Sequence, residues 1–330
     1  MFKVLVLGAT GFIGGHIVKK VQDVGWQVYG FRRNSSTVGH LSNRSIQWIE
    51  GDLDDYQSLK AAMTGMDYVF HAAGYYPHNQ DPKLVPQHRN TAAEQMKNVV
   101  RAVRETGIKR LIYTSSLTTI GQPSIDEGRL ADERDFYQAG FLPDNGYYES
   151  KSVMENIALE AASVGYDIVI LNPTIVFGPG DVHISTGEIL VTIAKGKAWA
   201  VPPGMINIID VRDAAEAHIN AARIGKTGER YILGGINYSI QEAAAIIADI
   251  ANTQPPRFTL PGWLINFYIQ MADRIPFIPY APYHLRAFQL WQGFNVDKAV
   301  KELNLQSRFL EETVRDSLSW FRNQGVLQVP

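Results

Sequence analysis

A glycine-rich turn directly after the first apolar run constrains the fold of this 330-residue chain more than any other stretch. Val4-Leu5-Val6-Leu7 has the composition of a short strand, and glycines follow it at three-residue intervals before a helical pattern begins. Glycine allows a tight turn, close approach of the backbone to a pyrophosphate, and close helix–strand packing. The following helix would offer free N–H groups to the phosphates. The turn therefore predicts a dinucleotide site, with a plain structural turn as the alternative. Its expected contact residues are Gly8, Thr10, Gly11, Phe12, Ile13 and Gly14.

Short β-branched and apolar runs alternate with amphipathic stretches through the N-terminal half, which is typical of parallel sheets built from βαβ units. The sequence therefore predicts an α/β fold with a doubly wound parallel sheet of the Rossmann type. The predicted strands are 3–7, 26–31, 45–49, 67–71, 109–114 and 167–172, and the predicted helices are 13–24, 56–64, 90–106 and 147–164.

The alternation breaks at Pro173 and at the turn Gly178-Pro179-Gly180. It resumes with a strand over 206–211, a helix over 212–223 and a short strand at 231–233, and the remainder has a mainly helical pattern. We therefore expect two interleaved domains. They are an NADP-binding Rossmann domain of residues 1–175 plus about 206–235, and a smaller C-terminal substrate-binding lobe of about 176–205 and 236–330.

Charge and cysteine content exclude several classes of protein. The chain carries 31 Lys and Arg against 33 Asp and Glu, so it has no basic excess for binding nucleic acid. The lack of cysteine excludes disulfides and thiolate metal sites, and no metal site is predicted. The first apolar run is too short for a signal peptide, and no run reaches membrane-spanning length. These features predict a cytoplasmic enzyme for a small-molecule substrate, with no nucleic-acid partner and no integral membrane segment.

The end of the second predicted strand bears on the choice of cofactor. An acid in this position binds the ribose 2′-hydroxyl of NAD, but here the strand ends in Arg32-Arg33-Asn34-Ser35. Two guanidinium groups and a hydroxyl suit a 2′-phosphate instead. The pattern predicts NADP(H) in preference to NAD(H), with Arg33 a stronger candidate than Arg32. A solvated surface pair is the alternative.

Two further strand ends are expected to line the cofactor. Asp52 and Leu53 follow the third strand, where a carboxylate and a backbone N–H can meet an adenine edge. The small residues Ala72-Ala73-Gly74 follow the fourth strand and allow close approach of a ribose. We interpret His71, directly before them, as a packed strand residue rather than a catalyst.

Tyr147 and Lys151 lie four residues apart at the start of a predicted helix, which places a phenol and an ammonium on one helical face. A neighbouring cation favours the phenolate form, so such a pair can exchange protons near neutral pH. The spacing alone is weak support, because Tyr56 and Lys60 share it. Only the first pair follows a strand that ends in Ser115-Ser116.

Together these residues resemble the extended (atypical) short-chain dehydrogenase/reductase family, part of the NAD-dependent epimerase/dehydratase superfamily, over essentially the whole chain. Within it, the chain is most similar to the branch that holds dihydroflavonol 4-reductases and bacterial hopanoid-associated sugar epimerases. The matching motifs are Gly8-x-x-Gly11-x-x-Gly14, Gly51-Asp52-Leu53, His71-Ala72-Ala73, Tyr113-Thr114-Ser115-Ser116, Tyr147-x-x-x-Lys151 and Asn172-Pro173-Thr174.

The resemblance implies roles for these residues. Tyr147 would exchange a proton with the reacting oxygen, and Lys151 would favour the phenolate and hold the nicotinamide ribose. Ser116 would bond the same oxygen, with Ser115 as the alternative. The nicotinamide ring would lie beside Pro173, Thr174 and Val176.

The resemblance also implies a homodimer formed through the helices at 90–106 and 147–164. One feature departs from the family: no Gly-Thr step follows Asn90. We give Asn90 no catalytic part.

A reductase and a sugar epimerase of this family would share Ser, Tyr and Lys, so only the substrate lobe separates them. An epimerase typically has an arginine for the substrate diphosphate just before strand 206–211, where this chain has Met205-Ile206-Asn207. Asn172 does match a position that can meet a phosphate. We predict an NADP-dependent carbonyl reductase or alcohol dehydrogenase, similar to dihydroflavonol reductases. The alternatives are a nucleoside-diphosphate-sugar 4-epimerase or reductase and a non-catalytic NADP(H)-sensing protein.

The late region 258–294 is rich in aromatic residues, which suit a planar or apolar substrate. A core or dimer-facing stripe is an equal alternative, and a membrane-surface patch over 262–293 is a third. We also expect the loops 75–86 and 122–146 to face the substrate, the second as a lid or as a solvated excursion. His183 and Thr186 are further candidates.

Overall fold

The computed structural model describes residues 1–38, 41, 45–77, 81–275, 277, 283–290 and 292–328. Its strands are β1 Lys3–Leu7, β2 Gln27–Arg32, β3 Gln47–Glu50, β4 Tyr68–His71, β5 Arg110–Thr114, β6 Ile168–Pro173, β7 Ile175–Phe177, β8 Ala200–Val201, β9 Met205–Asp210, β10 Arg230–Leu233, β11 Asn237–Ser239 and β12 Phe258–Thr259. Its α-helices are α1 Phe12–Asp23, α2 Tyr56–Met63, α3 Val85–Thr106, α4 Gly146–Ser163, α5 Gly187–Ala194, α6 Val211–Ile224, α7 Ile240–Ala251, α8 Gly262–Arg274, α9 Tyr283–Arg286, α10 Asp297–Leu303 and α11 Leu310–Asn323.

The predicted strands and helices are all present, and only the start of α3 lies far from its predicted position. That helix was expected from residue 90 but begins at Val85. Pro86, which reads as a helix breaker, lies in its first turn. Proline is tolerated there because the first N–H groups of a helix have no intrahelical partner.

Within the described ranges, seven strands form a parallel sheet in the order β10-β6-β5-β4-β1-β2-β3. The chain leaves β1 toward β2 and β3 on one side and later returns to β4, β5 and β6 on the other. Strand order therefore reverses between β1 and β4, and a crevice opens there at the carboxyl ends of the strands. This is the doubly wound Rossmann-like fold that the sequence predicted.

Alternation along β1 divides the core between the two faces of the sheet. Val4 and Val6 pack on the face covered by α1 and α6. Leu5 and Leu7 pack on the opposite face, against α2, α3 and α4. Because successive side chains of a strand point to opposite faces, a strand buried on both sides is apolar throughout.

A second set of elements packs around its own apolar cluster. Strand β9 pairs with β7 in parallel and with β11 antiparallel, and α5, α7 and α11 cover this sheet. Helix α10 lies apart from them and packs with α6 and β10 on the Rossmann side. The predicted domain boundaries stay a proposal. No helix in the described part of the chain is both long and apolar enough to cross a bilayer.

Candidate active site

The glycine loop between β1 and α1 leaves no space for side chains at two of its positions. Gly8 has a φ of +82°, and a Cβ there would lie 2.6 Å from the backbone nitrogen of Ala73. A Cβ on Gly14 would overlap the Gly8 carbonyl. These glycines hold β1, α1 and the end of β4 in close contact across the crevice.

The N-terminus of α1 has the features of an anion site. Its N-cap is Gly11, which has no side chain to occupy the first N–H groups, and the first turn contains no acidic residue. The side chains of Thr10, Phe12 and Ile13 are half-buried beside it. Free N–H groups at a helix N-terminus favour phosphate, so the loop fits the pyrophosphate of a dinucleotide.

The turn Gly178-Pro179-Gly180 is tied to α1 by a contact that the sequence did not reveal. The Nε2 atom of His16 lies 2.8 Å from the carbonyl oxygen of Pro179. A Cβ on Gly180, whose φ is +101°, would come within 3.2 Å of the same ring nitrogen. The turn after β7 therefore lies over the first helix, on the cofactor side of the molecule.

The two arginines at the end of β2 have different surroundings. The guanidinium of Arg32 donates to Glu50 at 3.2 Å and to the carbonyl oxygen of Ser36 at 2.9 Å, and it lies over the ring of Trp48. Arg33 is exposed. Arg32 is thus held against β3, whereas Arg33 projects into solvent.

The residues after β3 and β4 lie at the same edge of the sheet. Asp52 and Leu53 are half-buried, and the carboxylate of Asp52 accepts from the N–H of Asp54 at 3.1 Å. The N–H of Ala72 continues the pairing of β4 with β1 by donating to the carbonyl oxygen of Leu7 at 2.9 Å. The segment Ala72-Ala73-Gly74 is half-buried, as a wall that contacts a ligand would be.

Tyr147 and Lys151 lie on the first turns of α4, with Lys151 against the end of β5. The Lys151 ammonium donates to the carbonyl oxygens of Thr114 at 3.2 Å and Ser115 at 3.4 Å. A Cβ on Gly74 would lie 3.3 Å from the same nitrogen, so glycine gives the ammonium room. Burial lowers the pKa of Lys151, while Tyr147 and Glu155 act in the opposite direction.

Both candidate serines are buried at the end of β5. The Oγ of Ser116 accepts from the N–H of Thr118 at 3.2 Å, which leaves its own proton available to donate. The Oγ of Ser115 is buried near Tyr113 and makes no hydrogen bond of good geometry within the described residues. Ser116 and Ser115 therefore both stay candidates.

Tyr76 stacks on Tyr147, a contact that the sequence did not indicate. The ring centroids lie 4.8 Å apart with an interplanar angle of 26°, and the Tyr76 hydroxyl donates to that of Tyr147 at 3.3 Å. Both rings line a cavity. Its lining residues are Tyr76, Pro77, Asp81, Val85, His88, Asp144, Asn145, Gly146, Tyr147 and Arg286.

The residues that line the cavity can be compared with the two loops predicted to face the substrate. The described part of loop 75–86 supplies several lining residues, whereas 78–80 lie outside the described residues. Loop 122–146 contributes only its last residues, and Arg129 ties an earlier part together by a bidentate pair with Asp135. The sequence missed His88 and Arg286. His88 lies on α3 ahead of the predicted helix start at residue 90, and its Nδ1 lies 2.8 Å from the Tyr75 hydroxyl.

Other candidates lie outside this cavity. His183 is exposed, and Thr186 donates to the carbonyl oxygen of Val176. Asn90, which was given no catalytic part, is also exposed. Val176 packs in the core beneath the glycine loop. Thr174, which follows Pro173 at the end of β6, donates to the carbonyl oxygen of Leu233 at 3.2 Å.

Two polar residues beside the site are buried among other protein groups and do not face the cavity. Asn172 is fully buried, and its amide donates to Ser116, Thr119 and Glu155. His71 is also fully buried, as predicted, and its ring lies 5.4 Å from that of Tyr113. Burial, and to a lesser extent the charge of Lys151, lowers the pKa of His71 to about 3.

The second Tyr–Lys pair belongs to the surface of α2. Lys60 forms an ion pair with Glu105 at 2.8 Å, and Arg101 lies over the ring of Tyr56. The Lys60 ammonium is partly exposed and pairs with a carboxylate, whereas that of Lys151 is buried against carbonyl oxygens of β5, so we give the second pair no part in the site.

Residues 4–234 match the NAD dependent epimerase/dehydratase family. The chain belongs to this family. A Synechocystis sp. protein provisionally named dihydroflavonol 4-reductase is 33% identical over 98% of this chain and 95% of its own length. Sterol demethylase protein B of Methylococcus capsulatus is 26% identical over 98% of this chain and 99% of its own. The crystal structure of gox2253 has a TM-score of 0.87 at 28% identity, covering 99% of this chain and all of that one.

Family membership confirms the predicted resemblance. The chain is an NAD(P)-dependent enzyme of the reductase or epimerase kind, and it uses a nicotinamide cofactor. The family match ends at Gly234. The region beyond it, which supplies Arg286 to the cavity, is the part of the chain that this match does not cover.

Proposed function

We propose that the protein is an NADP-dependent carbonyl reductase or alcohol dehydrogenase with Ser116, Tyr147 and Lys151 as its acid/base centre. The observation that carries this proposal is the placement of the Lys151 ammonium. It is buried against the Thr114 and Ser115 carbonyl oxygens, one helical turn from a phenol that lines a cavity. A buried cation near a phenol favours the phenolate and so allows the phenol to transfer a proton to a carbonyl oxygen.

Each residue of the centre has one task in this proposal. Tyr147 gives a proton to the substrate oxygen during reduction and takes it back during oxidation. Lys151 stabilises the phenolate that forms, and the Ser116 hydroxyl donates to the same substrate oxygen. The nicotinamide, when bound, supplies or accepts the hydride.

Two features support NADP(H) as the cofactor. Arg33 is exposed at the end of β2, where a 2′-phosphate would lie, and Arg32 beside it adds positive charge. Within β2 and the following Asn34-Ser35 the sequence has no carboxylate to bind a free 2′-hydroxyl. The proposed contacts of the remaining cofactor are the glycine loop, Asp52, Leu53, Ala72-Ala73-Gly74 and the segment from Pro173 to Val176.

The geometry around Asn172 argues against a nucleotide-sugar epimerase. Its amide donates to three acceptors inside the protein, and the side chain is fully buried. A substrate phosphate could not reach it without breaking that network. A sensing protein without turnover would have no need of the Tyr147–Lys151 pair.

Nicotinamide absorbance tests the proposal directly. A panel of aryl and alkyl ketones and aldehydes is incubated with NADPH, and each reaction is followed with the parent enzyme and with Tyr147→Phe. We expect stoichiometric NADPH oxidation that the variant loses while it still binds NADPH. An epimerase would regenerate its cofactor and bind a UDP- or GDP-sugar in calorimetry, and either result would contradict the proposal.

We also propose a homodimer formed through α3 and α4. These helices pack side by side on one face of the main sheet, and α3 keeps an outward row of charged residues. Analytical ultracentrifugation at several concentrations tests this. A monomer mass at every concentration would rule the dimer out.

A further inference from the structure

Five large aromatic side chains lie exposed in two neighbouring segments far from the glycine loop in sequence. They are between 56% and 96% exposed, and they are Trp199, Phe258, Trp263, Phe267 and Phe277. Single exposed apolar residues are ordinary, but a group of large ones marks an interaction surface. Four of these side chains belong to the aromatic region 258–294 and face outward, whereas Tyr280 and Trp291 of that region lie outside the described residues.

Backbone pairing brings the two segments together. Strand β12 pairs with β8, and the N–H of Arg257 donates to the carbonyl oxygen of Trp199 at 3.0 Å. Helix α8 follows directly. Trp263, Phe267 and Arg274 share its outward face, because they are separated by four and seven residues. Its opposite face, with Ile265 and Ala272, is buried.

The same segments carry mainly positive charge. Residues 195–201 and 257–277 contain one acidic residue, Asp273, and four basic ones. The basic side chains are all exposed, and they are Lys195, Lys197, Arg257 and Arg274. Exposed Trp and Phe interspersed with Lys and Arg fit a negatively charged bilayer, since the rings enter the headgroup region and the cations meet anionic lipids. A second copy of this surface would place like charges opposite each other.

We propose that these nine residues, the basic-aromatic surface, bind the enzyme peripherally to an anionic lipid bilayer with α8 lying in the plane of the interface. The surface adjoins the cavity of the site. A Cβ on Gly262, the first residue of α8, would contact the ring of Phe288, two residues from Arg286 in the cavity wall. Docking would therefore bring the Arg286 side of the cavity wall near the lipid.

Vesicle sedimentation tests the proposal with matched variants. The full chain is mixed with vesicles of phosphatidylcholine alone or of equal parts phosphatidylcholine and phosphatidylserine. We expect binding to the anionic vesicles that falls steeply as salt is added. The W263S/F267S variant should bind at least about tenfold more weakly. In the K195E/K197E variant the affinity for anionic vesicles should fall about fivefold or more for each lysine replaced. This factor corresponds to about 1 kcal/mol of binding free energy per basic residue.

Controls carry equivalent changes elsewhere on the surface. Phe141 and Phe309 match Phe267 and Trp263 in exposure, at 56% and 71%. The F141S/F309S and K3E/K301E variants, whose lysines are exposed and lie outside α3 and α4, should therefore retain vesicle binding. NADPH binding and circular dichroism report folding, and the lysine variant preserves the test if the aromatic one does not fold. The proposal would be overturned if the parent chain did not bind anionic vesicles, or if the control variants lost as much vesicle affinity as the test variants. It would also be overturned if the parent chain were a dimer that W263S/F267S converted to a monomer. None of these results depends on whether the enzyme is a reductase.

Discussion

The ring of Tyr76 covers the ring of Tyr147, with centroids 4.8 Å apart and the hydroxyl oxygens 3.3 Å apart. Tyr147 belongs to α4, whereas Tyr76 lies just beyond the carboxyl end of β4. The phenol proposed to carry the proton is therefore shielded on one face by a second phenol that also lines the cavity. Substitutions can distinguish the roles of the two rings, since Tyr147 would transfer the proton and Tyr76 would contact the substrate.

Replacing Tyr147 by Phe removes the proton donor and keeps the stack. We expect kcat to fall by about 10²–10⁴, the range for loss of a general acid, with little change in NADPH affinity. Steady-state kinetics and fluorescence titration of NADPH measure the two quantities. Retained turnover in Tyr147→Phe would contradict its assignment as the acid.

Tyr76 offers a graded test of substrate contact. Tyr76→Phe keeps the ring and removes one neutral hydrogen bond, so kcat/KM should change by less than about tenfold. Tyr76→Ala also removes the ring from the cavity wall, and KM should rise by about tenfold or more with a smaller effect on kcat. Equal kinetics of the alanine and phenylalanine variants would show that the ring makes no contact with the substrate.

Replacing Lys151 by Met should separate activity from stability. Turnover should fall by about 10²–10⁴, since the cation that favours the phenolate is lost. The free energy of unfolding without cofactor should hold or rise, because burying an ammonium against neutral carbonyl oxygens is costly. Urea denaturation and kinetics measure the two effects. Lys60→Met, at the surface pair, is the control and should leave kcat unchanged.

The two arginines after β2 should differ in their effect on cofactor choice. Arg33→Ala should weaken NADPH binding by about 10- to 100-fold, which is the loss of a charge-assisted contact of about 1.5–3 kcal/mol, and leave NADH binding unchanged. Arg32→Ala should weaken NADPH binding less, because its guanidinium already pairs with Glu50. Calorimetric titration with both cofactors distinguishes them. Equal losses for NADH and NADPH in Arg33→Ala would contradict a 2′-phosphate contact.

His71 should make the fold sensitive to acid. Its pKa in the folded chain is about 3, below the ordinary 6.5, so between these values only the unfolded chain binds the proton. The contribution of neutral His71 to the free energy of unfolding is fully present above pH 6.5 and is lost as the pH falls toward 3. In His71→Gln, the decline in unfolding free energy from neutral pH to about pH 4.5 should shrink by about 2–3 kcal/mol.

Urea midpoints across this pH range measure the decline in His71→Gln. His218, whose pKa burial lowers to about 4, remains in the variant and keeps part of the acid sensitivity. His183→Gln, at an exposed position, provides the matched control. If the unfolding free energy of His71→Gln declined with pH as steeply as that of the parent chain, His71 would bind its proton equally in the folded and unfolded states.

Local patterns predicted the elements well, and contacts between distant elements were predicted poorly. Alternation and glycine placement located the strands of the main sheet to within two residues, because both depend on short stretches of chain. The aromatic region 258–294 was ambiguous. Its sequence does not show that Trp263 and Phe267 face outward while Phe288 and Phe294 are buried. The periodicity of α8 groups its residues into faces, but only packing against other elements decides which face is buried.

The pairs Tyr147–Lys151 and Tyr56–Lys60 show what the sequence determines and what only the tertiary structure decides. The sequence determined the helical spacing of both pairs, since a separation of four residues is a local property of a helix. Only the tertiary structure decided that Lys151 is buried against carbonyl oxygens of β5, whereas Lys60 pairs with Glu105 at the surface. The difference is physical: desolvation and hydrogen-bond partners come from other elements, and those elements meet only when the sheet has formed.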